Sequence, residues 1–184
     1  MQETQNITVV DQYLDLMDAQ REQVFNAIAG ISHEALWQRP ESGEWCIGEI
    51  LHHNIRLYQS VFPFASIAWR FFRWTGKLLQ SRTYRTTIED PYRKDSFPHW
   101  AGFLWKPKYT LDHTVSLEKL LTETKAVHQT VRRFYEGKQE AMLGNVFLFD
   151  PLFGFINLIL VLRIGVYHDQ LHYDDVIKMM HGKQ

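Results

Sequence analysis

Four stretches of the chain carry apolar residues three or four apart, the spacing of a helix, and almost nothing alternates like a strand. The first runs from about Thr8 to Ile28, with Val9, Tyr13, Leu16, Met17, Val24 and Ile28 on one stripe and Gly30 as a stop signal. Ser32 to Glu44 contains Pro40 and Gly43 and reads as a loop with one short turn. The second stretch starts just after Trp45 and continues to about Gln80. Ile47, Ile50, Leu51, Leu57, Val61, Phe64, Ala65, Ala68, Phe71 and Phe72 give it a wide apolar face, and Pro63 should kink it or interrupt one turn.

From Ser81 to Leu111 no period shows; Pro91, Pro98 and Pro107 break the chain, and Trp100 and Trp105 stand among charges. A connection of that length is usually functional or caps something. A third helix is expected from the N-cap Ser116 to about Gly137, with Leu117, Leu120, Leu121, Val127, Val131 and Phe134 on its stripe. After Asp150-Pro151 a fourth should run from about Phe153 to Met180. These elements predict an all-α fold: a four-helix bundle, one domain over residues 1–184, with a long aromatic connection between helices 2 and 3.

Composition adds three constraints. Twenty Lys plus Arg against 21 Asp plus Glu leave a formal charge of -1, which calls for no nucleic-acid or anionic-membrane partner. Cys46 is the sole cysteine, so neither an internal disulfide nor a cysteine zinc knuckle can form. The polar start of the chain does not read as a secretory signal, and Val146 to Tyr167 is interrupted by Asp150, Pro151, Asn157 and Arg163, so no membrane span is expected. The expectation is a cytoplasmic protein.

The nine histidines matter only where they converge. His168 and His172 stand four apart on the fourth helix, so both project from one face, one turn apart. Chance alone supplies roughly 0.4 such pairs, so the spacing is a weak signal by itself. They share a face with Val161, Ile164, Gly165, Leu171 and Val176 and should point inward, where an imidazole needs a partner: a core hydrogen bond or a metal. On the second helix His53 falls with Ile50, Leu57 and Val61, whereas His52 falls with Glu49, Arg56 and Gln59 on the polar side. His53, His168 and His172 are therefore the candidate metal ligands, and three imidazoles leave an ion with open positions. Asp169 and Tyr167 read as surface and packing, Asp175 as a solvated acid, and Glu49 as a helix-start carboxylate or an orienting group. His33, His99, His113, His128 and His181 read as surface or loop.

Trp45-Cys46-Ile47-Gly48-Glu49-Ile50-Leu51-His52-His53 resembles the Trp-Ser-x-x-Glu-x-x-x-His signature of the DinB/YfiT-like superfamily. Ala35-Leu36-Trp37-Gln38-Arg39-Pro40 resembles the segment before it, and Asp150-Pro151-Leu152-Phe153-Gly154 with His168-Asp169-Gln170-Leu171-His172 resembles the closing helix. The resemblance implies a four-helix bundle holding one divalent metal ion, zinc or nickel, through His53, His168 and His172. It implies a metal-dependent transferase that joins a low-molecular-weight thiol to an electrophile. The alternatives are a metal-dependent hydrolase and a non-catalytic, stress-associated binding protein with a structural metal. A homodimer is also implied, with the first helix and the turn at Phe62-Pro63-Phe64 as contacts. Three departures stand out: Cys46 replaces the usual Ser or Thr, Asn54 replaces Leu, and residues 81–111 are long and aromatic. No residue is assigned a catalytic role. Trp100 and Trp105 would form an aromatic wall for an apolar electrophile.

Overall fold

All four expected helices form, and local side-chain chemistry decides where they begin and end. The structure is a computed structural model and describes residues 7–41, 43–94 and 114–182. Helix α1 is Val9–Ala27; Thr8 accepts from Asp11 N at 3.1 Å while the Asp11 carboxylate accepts Thr8 N at 3.1 Å, a reciprocal cap. Its core side carries Val10, Tyr13, Leu14, Met17 and Val24. Between it and the next long helix, where a loop with one short turn was expected, a short helix α2 (His33–Trp37) is capped by Ser32 and buries Leu36 and Trp37.

Helix α3 is Ile47–Leu78, 32 residues, about 48 Å at 1.5 Å per residue. It runs through Pro63 without the interrupted turn that was one of the two expectations there. Pro63 leaves the carbonyl of Gln59 without its amide donor, but both residues are exposed, so water can serve that oxygen. Helix α4 is Leu117–Tyr135, capped by Ser116, and a single turn α5 (Glu140–Leu143) follows.

The fourth long helix, α6 (Leu158–His181), begins five residues later than the periodicity suggested. The preceding residues form an antiparallel hairpin of β1 (Phe147–Asp150) and β2 (Gly154–Asn157), a correction to the strand-free reading. Its register pairs Leu148 with Ile156 and Phe149 with Phe155. Asp150 Oδ1 accepts the amides of Leu152 and Phe153 at 2.7 and 3.1 Å, and Gly154 takes φ +72°, which together close the turn. Asn157 then caps α6 by accepting Leu160 N at 2.9 Å. Strands of four residues are too short to show a period.

Helix α1 packs along α6 and α4, and α3 packs along α4 and α6, so α1 and α3 stand diagonally across the bundle. The start of the connection after α3 is tied down by side chains reaching its carbonyls. Tyr13 Oη donates to Thr86 at 2.9 Å, Asn157 Nδ2 to Arg85 at 2.8 Å, and Tyr167 Oη to Ile88 at 3.1 Å. It ends in a 3-10 turn at Pro91–Arg93. Trp100 and Trp105, the expected aromatic wall, lie outside the described residues.

The buried apolar residues fall into two clusters, one around Met17, Phe62, Tyr135 and Leu158, the other around Ile28, Trp37, Leu51 and Tyr173. Where α3, α4 and α6 pass from one cluster to the other they bury Asn54, His128 and Asp169. A polar layer thus crosses the middle of the bundle.

Candidate metal centre

The packing of α3 on α6 brings the three singled-out histidines together. His53 and His168 are buried and His172 is half-buried, and one ring nitrogen from each lies within 4.8 Å of the other two. The Nε2 atoms of His53 and His168 are 3.1 Å apart, and the ring centroids are 4.5 to 5.0 Å apart. Three nitrogens on one tetrahedral ion at metal–nitrogen distances near 2.0 Å stand about 3.3 Å from one another. The three nitrogens, at most 4.8 Å apart, therefore stand near the spacing of a shared site. Trp45 lies 4.7 Å from the His53 ring and 6.0 Å from that of His172, and Tyr92 lies 5.6 Å from His168.

Burial keeps the His168 and His172 rings neutral. Burial, with His172 and His53 adding to it, holds His168 well below the usual imidazole range; burial and His53 push His172 down to about 3. Neutral imidazole is the form that ligates a metal. His168 turns Nε2 toward His53 at 3.1 Å, and its Nδ1 is buried with no hydrogen-bond partner among the described residues, so the ring's hydrogen bonding is incomplete within the core. The residues fit a cation.

The sign of the pH dependence follows. The folded state keeps His172 neutral down to about 3, while the unfolded chain takes up a proton near the ordinary imidazole value of about 6.5. The unfolded state thus binds more protons across that window, so stability falls as pH falls from 6.5 toward 3. Urea unfolding of metal-free protein should show a declining midpoint from pH 7 to pH 4. The His168→Leu/His172→Leu double variant should show a shallower decline.

Around the three rings the sequence reading needs both confirmation and correction. Glu49, 2% exposed, accepts Arg39 Nε at 3.1 Å, Arg39 Nη2 at 2.8 Å and Cys46 N at 2.9 Å, so it fixes the helix start and ties it to the chain before Trp45. Cys46 is fully buried and its thiol is pushed up to about 12 by burial, so it stays protonated and acts as a helix-start residue and not as a nucleophile. His52 is half-buried and outside the three-histidine group, and His33 and His181 are exposed as expected. His99 and His113 lie outside the described residues.

Two assignments to the surface are overturned. His128 and Asp169 are both fully buried, with Nε2 of the one 3.2 Å from Oδ2 of the other. Tyr58 Oη donates to the same carboxylate oxygen at 2.6 Å, and Asn54 Nδ2 lies 3.4 Å from the other oxygen. Burial, then the Asp169 charge, raises Tyr58 well above its ordinary value, so the phenol keeps its proton. The signal was present in the sequence. Leu162, Val166, Asp169, Tyr173 and Val176 recur at alternating four- and three-residue steps, and Leu120, Thr124, His128, Val131 and Tyr135 do much the same. Each polar residue sits inside an apolar stripe. Asn54 and Asp169 directly follow His53 and His168, so their contact holds the register that sets the histidines opposite each other.

The site stands between two unlike cavities. On one side a groove of about 420 Å³ is lined by Trp45 and His172 with Glu44, Asp175 and Lys178. On the other a pocket of about 80 Å³ carries His168, Tyr92, Leu57, Val61, Phe153 and Ile164.

The comparisons agree with this architecture. The description of the DinB superfamily matches residues 16–176, and the chain belongs to that superfamily. Among solved structures it is similar to YfiT from Bacillus subtilis, described as "a probable metal-dependent hydrolase with an unusual four-helix bundle topology". The two share 12% identity and a TM-score of 0.60, over 100% of this chain and 93% of that one. No protein of curated function matches. Among the described residues no helix is long and apolar enough to cross a membrane.

Proposed function

We propose that His53, His168 and His172 hold one divalent cation, zinc or nickel, and that the protein is a metal-dependent transferase joining a small thiol to an electrophile. The observation that carries this reading is the position of three clustered imidazoles between a charged groove and an apolar pocket. A two-substrate reaction needs two such approaches. When bound, the ion supplies Lewis acidity that favours the anion of a thiol or water reaching it.

The chain's own residues divide the remaining work. Lys178, Glu44 and Asp175 line the groove and match a polar, zwitterionic thiol, while Leu57, Val61 and Ile164 accept the apolar part of the electrophile and exclude water. Asp169 is engaged by Tyr58 and Asn54 and lies beside His128, so it serves as an anchor and not as a base. Thiol transfer is preferred to hydrolysis because the two approaches to the site differ in character, one charged and one apolar. The description of YfiT supports hydrolysis as the second reading.

One experiment separates them. Metal-loaded protein is offered a panel of cellular thiols with chlorodinitrobenzene, and separately short apolar esters. The transferase reading expects conjugation above background that falls to background in His168→Ala. Ester hydrolysis without conjugation favours the second reading. Neither activity, with a large loss of thermal stability on metal removal, returns a structural metal.

A further inference from the structure

The outer half of α3 inverts the usual size pattern of a bundle helix. Its core-facing positions are the small Ala65, Ala68 and Gly76, all buried, and a side chain at Gly76 would meet the Met142 carbonyl at 2.8 Å. Apart from Trp69, which packs partly against the core, its large side chains face out. Phe64, Ile67, Phe71, Trp74 and Leu78 are 52 to 73% exposed. Their spacing of three, four, three and four places them in an arc of about 80° on the side away from the core. Arg70, Arg73 and Lys77 lie along one flank of that arc, exposed and in no ion pair among the described residues. From Ile50 to Ile88 the sequence holds no Asp or Glu at all. The overall charge of -1 conceals this segregation. On the hairpin, whose first strand packs against α3, Phe149 and Phe155 are 64% and 78% exposed.

We propose that this stripe docks the protein on an anionic lipid bilayer, with Phe64, Phe71, Trp74 and Leu78 entering the interface and Arg70, Arg73 and Lys77 meeting the headgroups. Rings and aliphatic side chains on one face with cations beside them is the pattern of a helix that lies in a membrane surface. The charge also argues against the other simple occupant, a second copy. Antiparallel pairing of the stripe with itself would set Arg70 against Lys77 along the flank, with no carboxylate to meet either. An anionic surface complements every flanking charge. The stripe begins 11 residues beyond His53, about 16 Å along the helix, so docking leaves the histidine site free and does not depend on its role.

Flotation of the full chain with vesicles tests this. The protein should float with phosphatidylcholine–phosphatidylglycerol vesicles at low salt, not with phosphatidylcholine alone, and should be released by high salt. Phe71→Ser/Trp74→Ser and, separately, Arg70→Glu/Arg73→Glu should each weaken binding at least about tenfold. Both pairs are exposed, so their thermal midpoints should match the parent. The proposal is overturned if neither vesicle floats the protein, or if both variants float as the parent does. It is equally overturned if sedimentation shows a dimer that Phe71→Ser/Trp74→Ser dissociates and no vesicle binding is seen.

Discussion

Asp169→Ala should cost the fold about 3–5 kcal/mol, the sum expected when two or three buried polar groups lose a hydrogen-bond partner at once. The substitution leaves Tyr58 without its 2.6 Å acceptor, removes the carboxylate beside His128, and opens a space between two apolar clusters. None of these groups reaches water, since Asp169 and His128 are fully buried and Tyr58 is 4% exposed. Asp169→Asn keeps the shape and one acceptor for Tyr58 and should cost clearly less. Urea unfolding of the three proteins measures both differences. A loss below about 1 kcal/mol for Asp169→Ala would mean that the polar layer is not what joins α3, α4 and α6.

His168→Leu should behave in the opposite way. It should abolish metal retention yet leave the metal-free protein as stable as the parent or more so, most visibly near pH 5. His168 is held neutral by burial and keeps one ring nitrogen without a partner, so in the absence of a cation it is a cost to the fold. Leucine has a similar volume and needs no partner. A histidine that served only as a core hydrogen-bonding group would give the reverse result, a large loss of stability with no change in metal content. The pair of readouts therefore distinguishes a site built for a ligand from one built for packing.

These two residues also show what the chain discloses before it folds. Position on a helical wheel separated His53 from His52 because α3 is long and its apolar face is unambiguous near its start. The same wheel holds Asp169 and His128 within apolar stripes, but a polar residue on such a stripe reads as an interruption until its partners on other helices are known. Tyr58, Asn54, His128 and Asp169 come from three helices, and their convergence depends on which helices are neighbours. The hairpin is hidden for another reason: Phe147 to Asn157 is apolar enough to extend a helix, and only the Asp150 turn and the Asn157 cap divide it. In the outer half of α3 the apolar pattern was legible but its direction was not, because small residues face the core there and large ones face away.

If His53, His168 and His172 hold one cation together, removing one ring empties the site. The most direct test of this is elemental analysis of purified protein, wild type beside His53→Ala, with folding of both verified by circular dichroism. One zinc or nickel ion is expected per wild-type chain and essentially none in the variant. Equal metal content in the two, or no metal in a wild type purified without chelator in the presence of either ion, would contradict it.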